Sequence, residues 1–225
     1  MKKNNGELDS VLNEQHYFSC PVYFISRPDF STVVAEVSDE YVERSKMLDE
    51  FDELYPVIMT DNYYSDNRLN EFVRFIGTTA WSILDHQGYA MDDYELVFNE
   101  MWTQQHYKHS LMEEHMHGYG SVITGFYFLE CPDDCSKVVF GDPRPAKIIT
   151  NLPEKDLKKV THGSKAINFE PRPGDMIFTN SWLPHSFSRH GNTQPIKFVH
   201  FNLTALPLPK NTNHVYPSTN CVEIV

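Results

Sequence analysis

EEHMHGYGSVITGFYFLE, residues 113–130, sets His115 and His117 one residue apart and follows them with a run rich in β-branched and aromatic side chains. Val122, Ile123, Thr124, Phe126, Tyr127 and Phe128 suit a pleated, half-buried surface, so Ser121 to Glu130 predicts a strand. Side chains at i and i+2 of an extended chain share one face. Two imidazoles at the entrance of such a strand can therefore converge on a single ion, and this one stretch raises both the fold and the metal question.

Runs of the same character recur on both sides of it. YELVFNEMWTQQHY (94–107) alternates Leu96, Phe98, Glu100, Trp102 and Gln104 onto one face. SKVVFGD (136–142), AINFE (166–170), GDMIFTN (174–180), HSFSRH (185–190) and IKFVHFNLTA (196–205) follow, divided by Pro, Gly, Asn and Asp clusters. Short strands without crossover helices indicate an antiparallel sandwich, and the arrangement chosen here is a jelly roll. Upstream, HYFSCPVYFISR (16–27) predicts a strand, and two helices follow it. Ser38 is placed as N-cap of the first, before DEYVERSKMLDEF; the second carries Leu69, Phe72, Val73, Ile76, Ala80, Ile83 and Leu84 at helical spacing, with Gly88 past its end. The fold class is mainly β (α+β). The chain divides into an N-terminal strand with supporting helices (15–92), a β core (93–205) and a tail (206–225), all within one domain. The lysine-rich stretch 145–165 reads as a long insertion of the kind that forms lids or binding loops.

Composition narrows the function classes. A chain of 225 residues with 40% hydrophobic content can bury a substantial core. Its formal net charge of −12 argues against a broad nucleic-acid or membrane-surface footprint. No apolar run approaches the roughly 18–20 residues that cross a bilayer, and no signal-peptide core opens the chain, so a cytoplasmic location is expected. The four cysteines, Cys20, Cys131, Cys135 and Cys221, are too few and scattered for a disulfide scaffold. Cys131 and Cys135 in CPDDC read as the ends of a turn rather than half of a zinc site, because no second pair follows.

Eleven histidines make a neighbouring pair unsurprising by itself, and His106, His109 and His162 have no partners at ligand spacing. A third ligand for His115 and His117 is offered by PRPGDMIFTNSWLPHSFSRHGN (171–192), where a turn and a strand are followed by His185 at the opening of the next strand.

With these residues assembled, the chain resembles the iron(II)- and 2-oxoglutarate-dependent oxygenases, in the prolyl-4-hydroxylase-like branch found in phages and bacteria. The resemblance is carried by HMHGYGSVITGFYFL, VVFGDPRP, PRPGDMIFTNSWLPHSFSRHG and IKFVHFN, spans about residues 95–204, and reaches loosely back to FSCPVYFI. It implies a double-stranded β-helix, a jelly-roll variant, whose single Fe(II) is held by an HxD or HxE pair and a distal histidine. Carried across, His115 is the first ligand, His185 the distal one, and His117 stands at the usual carboxylate position. A neutral imidazole there leaves the site one unit more positive, but HxH versions look typical of this branch, so the resemblance implies three histidine ligands. Asp142 is a reserve carboxylate, though its spacing suits an ion pair with Arg144 at least as well.

The same resemblance asks for a cation on the strand after His185 to meet the distal carboxylate of 2-oxoglutarate, and Lys197 stands there between PI and FVHF. Tyr127 would add a hydrogen bond to that co-substrate, although as a strand aromatic it suits the core equally. The implied activity is a dioxygenase that consumes O2 and 2-oxoglutarate, releases succinate and CO2, and hydroxylates a small-molecule or peptidyl substrate; the acidic balance disfavours nucleic acid. Two rivals stand beside it. A cupin-like metal- or ligand-binding jelly roll would show the same HxH but adds a glutamate a few residues on, which GYGSVITG lacks. A degenerate oxygenase fold retained as a structural protein is the other.

Overall fold

In a computed structural model the described residues are 12, 14–48, 51–118, 120–150, 152–209 and 224. Strand β1 (Val22–Ser26) passes through a 3-10 turn at Pro28–Phe30 into helix α1 (Ser31–Leu48), followed by the short strand β2 (Val57–Met59) and helix α2 (Asn70–His86). Then come β3 (Tyr94–His106), β4 (Met112–His115), β5 (Ser121–Glu130), β6 (Val138–Gly141), β7 (Ala166–Phe169), β8 (Asp175–Asn180), β9 (His185–Phe187) and β10 (Ile196–Pro207). No helix among the described residues is long and apolar enough to cross a membrane.

The strands form a six-stranded sheet in the order β1-β8-β5-β10-β3-β2 and a four-stranded sheet in the order β4-β9-β6-β7, and these strands pair antiparallel. From β3 onward the chain crosses repeatedly between the sheets, so strands distant in sequence become neighbours, as a mainly-β jelly-roll fold requires. Alternation then assigns each face. Phe126, Phe128, Ile177, Ile196 and Phe198 of the large sheet meet Val138, Phe140 and Phe187 of the small one in a single apolar cluster. Tyr127, Leu129, Met176, Phe178, Val199 and Phe201 turn the other way and pack with Val34, Val37, Phe72 and Ile76 of the two helices.

Three sequence expectations are revised. Helix α1 begins a full two turns before Ser38, whose buried hydroxyl instead hydrogen-bonds Thr103 Oγ1 at 2.7 Å. A hydroxyl satisfied across the helix–sheet interface has no capping task to perform. The single face predicted for Leu96 through Gln104 is broken by a bulge, because Asn202 pairs with Glu100 while its neighbour Leu203 pairs with Phe98. Leu96 and Phe98 consequently pack on the helix side, whereas Glu100, Trp102 and Gln104 face the small sheet. Strands β2 and β4 were not anticipated; each is a short partner whose pairing comes from a long neighbour or from across the small sheet. The end of α2 agrees with its sequence signal, since Gly88 adopts φ +93 and its N–H donates to Asp85 O at 2.8 Å. The 145–165 insertion holds a 3-10 turn at Pro145–Ile149 and no strand among its described residues.

The centre of the large sheet carries one steric demand. A Cβ on Gly125 would run into the Phe201 ring and stand 2.5 Å from the backbone carbonyl of Ile177. Gly125→Ala is therefore expected to lower unfolding free energy by about 1–3 kcal/mol, the usual cost of overpacking, read as a lowered urea midpoint with an unchanged slope.

Candidate metal centre

The entrance of the small sheet gathers the three predicted histidines. His115 closes β4 and is the cross-strand partner of His185, the first residue of β9, which faces Phe140 of β6 on its other side. His117 lies beyond β4, held by its backbone N–H donating to Ser181 O at 3.0 Å. The shared face expected of a continuous strand is thus achieved by a strand end plus an anchored link. Ring centroids stand 5.2 Å apart for His115 and His117, 4.6 Å for His115 and His185, and 5.1 Å for His117 and His185. One nitrogen from each lies within 4.8 Å of the others, close enough to hold a metal ion.

Backbone carbonyls fix two of the tautomers. His115 Nδ1–H donates to Glu113 O at 2.8 Å and His185 Nδ1–H to Leu183 O at 3.0 Å, leaving each Nε2 lone pair for the centre. His117 differs. The Asn202 amide donates to Glu100 Oε2 at 2.9 Å and to His117 Nδ1 at 3.1 Å, so His117 carries its proton on Nε2 and donates it to His185 Nε2 at 3.2 Å. Ligation through His117 Nε2 would need the ring proton on Nδ1, the nitrogen that faces the Asn202 amide.

Burial sets the charge state. It pushes His117 down to about 3, with His185 and His115 adding to the effect, and pushes His185 down to about 4. Both rings stay neutral near pH 7, as metal ligation requires. Neutral imidazole suits iron, zinc, copper and nickel, and three histidine ligands on one side would leave other coordination positions open.

A fourth histidine, His200 on β10, was missed in the sequence. It is fully enclosed 4.7 Å from the His117 ring and 4.5 Å from Trp102, with burial as the main cause of a pKa far below the ordinary imidazole value. Alternation along IKFVHFN was the available signal, since it turns 196, 198, 200 and 202 to one side.

Lys197 and Tyr127 are not brought to the triad. On β10 and β5 they occupy the alternate positions that face the helices: Lys197 pairs with Asp39 of α1 and with Glu130, while Tyr127 Oη donates to Arg27 O at 2.7 Å and sits 3.0 Å from Ser31 Oγ. Burial works against the Lys197 charge, but the two carboxylates outweigh it and raise its pKa. Both belong to the seam between sheet and helices, on the face of the sheet away from the triad. Asp142 binds Arg144 Nη2 at 2.6 Å and Lys147 Nζ at 2.8 Å, and these cations hold its carboxyl far below the usual range. It is not a member of the triad cluster.

The remaining histidines separate by environment. His106 is buried against Phe187 and Phe198 and pushed down to about 3, chiefly by burial. His109 occupies a turn at φ 75, and His162 lies exposed beside Glu14 and His16. Cys131 and Cys135 flank a turn closed by Cys135 N–H donating to Pro132 O, and both are free; Cys221 lies outside the described residues. Two cavities adjoin the triad. One of about 480 Å³ is lined by Tyr89, Tyr94, His117, Asn180 and Trp182, and one of about 610 Å³ by Tyr55, Leu111, Glu114, His115 and Arg189.

Residues 100–202 match the family model described as "Putative 2OG-Fe(II) oxygenase". No curated protein matches the chain. Among solved structures, a Pseudomonas putida prolyl-4-hydroxylase superposes with a TM-score of 0.54 at 10% identity, covering 83% of this chain and 94% of its own. The viral collagen prolyl hydroxylase of Paramecium Bursaria Chlorella virus-1, solved with 2OG, gives 0.52 at 9%, with 82% and 96% covered. HygX from Streptomyces hygroscopicus, solved with nickel and 2-oxoglutarate bound, gives 0.51 at 13%, with 82% and 83% covered. In sequence over the segment that carries the triad, and in fold over most of its length, the chain resembles the 2OG-Fe(II) oxygenases, prolyl hydroxylases among them.

Two outcomes follow from the site. His115→Ala and His185→Ala should each abolish stoichiometric metal by elemental analysis, whereas Asn202→Leu should retain the stoichiometry and weaken affinity by roughly tenfold to a hundredfold, the usual cost of losing a partner behind a ligand. In the metal-free protein His106, His117 and His185 have folded-state values of about 3, 3 and 4, below the unfolded value near 6.5. The unfolded chain binds protons first, so this contribution to stability is complete above pH 6.5 and is lost as pH falls towards 4 and then 3. Urea midpoints measured at pH 7.5, 6 and 5 should fall in that order.

Proposed function

We propose that the chain is an iron(II)- and 2-oxoglutarate-dependent dioxygenase built on a double-stranded β-helix, with His115, His117 and His185 as its metal ligands. The observation that carries this reading is the convergence of three imidazoles from the β4 end, the following link and β9, inside a segment that matches the oxygenase family model. The donor set fits a divalent first-row metal, since two tautomers are already fixed with Nε2 towards the centre. With Fe(II), 2-oxoglutarate and O2 bound, the centre would supply oxidative decarboxylation to succinate and CO2 coupled to hydroxylation of a substrate C–H bond.

The protein's own residues supply position and shielding. Glu113 O and Leu183 O keep two ligand rings in register, and Asn202, steadied by Glu100, holds the third through its Nδ1. Phe126, Phe140 and Phe187 seal the apolar floor beneath His185, keeping bulk water from the buried side. Tyr89, Tyr94 and Trp182 line the cavity on the His117 side, a largely apolar entrance suited to a small-molecule or peptidyl substrate.

An anaerobic titration with iron(II) and then 2-oxoglutarate tests this reading: a visible charge-transfer band on adding both supports it, and metal uptake without a band under saturating 2-oxoglutarate points to the plain metal-binding jelly roll. Because Lys197 faces α1, Lys197→Met should leave that band and the 2-oxoglutarate affinity within about twofold. Its cost should fall instead on stability, at roughly 1 kcal/mol, because Asp39 and Glu130 are half exposed and can be rehydrated.

A further inference from the structure

The lysine-rich insertion ends in a turn closed by its own hydrogen bonds. Ser164 N–H donates to Thr161 O at 3.0 Å, Thr161 N–H donates to Ser164 Oγ at 3.0 Å, and Lys147 Nζ donates to the His162 carbonyl at 2.9 Å. Lys147 is itself fixed to Asp142 at 2.8 Å, just past β6, so the exposed His162 ring is carried on a braced frame. Against it lies the segment that precedes β1. Residues 14–20 make no backbone–backbone hydrogen bond among the described residues, yet they set Glu14 and His16 beside His162. The two imidazoles stack with centroids 4.9 Å apart and planes inclined by 14°, and Glu14 Oε1 stands 3.7 Å from His162 Nε2.

One donor atom from each of the three residues lies within 4.8 Å of the others. Ligands of a tetrahedral zinc ion stand roughly 3.3–3.5 Å from one another, so closing on an ion asks for movements of about 1 Å, which exposed side chains on a loosely tied segment can make. Two imidazoles and a carboxylate suit zinc and its late first-row neighbours and leave a position for water. The nearby cations Arg144 and Lys147 are both committed to Asp142. An exposed ion pair and a ring stack by themselves hold such a segment weakly, whereas one shared ion would tie it down.

We propose that Glu14, His16 and His162 form a second divalent-cation site, of zinc type, that latches the segment before β1 onto the 145–165 insertion. It shares no ligand with the triad and does not depend on the oxygenase reading. The latched segment covers a cavity of about 580 Å³ lined by Tyr17, Phe18, Phe140, Asp142, Arg144 and Leu183. Two of these stand behind the triad, since Phe140 is a cross-strand partner of His185 and Leu183 O accepts from its Nδ1–H. Exposed ligands on a segment that must be ordered make this the weaker of the two sites, so its ion is lost on desalting and is read only at equilibrium.

The test is calorimetric titration of zinc chloride into the full chain carrying His185→Ala, in which the triad does not compete. One equivalent is expected, and it should vanish when His16→Ala or His162→Ala is added. The intact triad gives the same count, with two equivalents in wild type and one in His162→Ala. Chymotrypsin supplies an independent reading, because Tyr17 and Phe18 are exposed beside His16. Zinc at a hundred times the Kd of this site should slow cleavage there roughly a hundredfold in wild type, as a ligand confined to the latched form must, and leave His162→Ala unaffected. Absence of the equivalent in His185→Ala, its persistence in both double variants, or cleavage that zinc slows equally in wild type and His162→Ala or in neither would each overturn the proposal.

Discussion

Strand β10 lies between β3 and β5 at the middle of the large sheet, and its two faces serve two different interiors. Ile196, Phe198, His200 and Asn202 look towards the small sheet, whereas Lys197, Val199, Phe201 and Leu203 look towards the helices. Because the side-chain period of a strand is two, a register slip of one residue would exchange these sets, sending a charged lysine among phenylalanines and withdrawing Asn202 from His117. The tight approach of Gly125 to Phe201 and Ile177 is part of the same constraint, since the packing at that point leaves no volume for adjustment.

The histidine cluster depends on that sheet without belonging to it. His115 and His185 are paired within the small sheet, His117 is tethered to Ser181 just beyond β8, and the sheets meet where Asn202 reaches across to His117. The site is therefore rigid on the side where backbone pairing and carbonyl contacts orient the imidazoles. At His117 a side chain does this work instead, the Asn202 amide that meets Nδ1.

The helices contribute indirectly. Helix α1 packs Val34 and Val37 against the large sheet and uses Ser31, Ser38 and Asp39 to satisfy Tyr127, Thr103 and Lys197 across the interface. Buried polar groups on the outer face of the sheet are thereby paired close to home. The seam behind His117 is the contrast: there the ring nitrogens of His200 and Trp102 are equally enclosed yet have no hydrogen-bond partner among the described residues.

Sequence alone determined the strands that carry their own signal. Ser121–Glu130, Asp175–Asn180 and the α2 helix with its Gly88 terminus were legible because β-branched runs, helical spacing and a left-handed glycine are local properties. His115, His117 and His185 were legible as candidates because their spacing and flanking runs are also local. What the tertiary structure decided was direction and company. A bulge at Asn99 reversed the face of half of β3, the helix interface claimed Ser38, Lys197 and Tyr127, and pairing of distant strands set His200 beside His117. Alternation tells which residues share a face, but only the packing of sheet on sheet and helix on sheet decides which face meets the metal site.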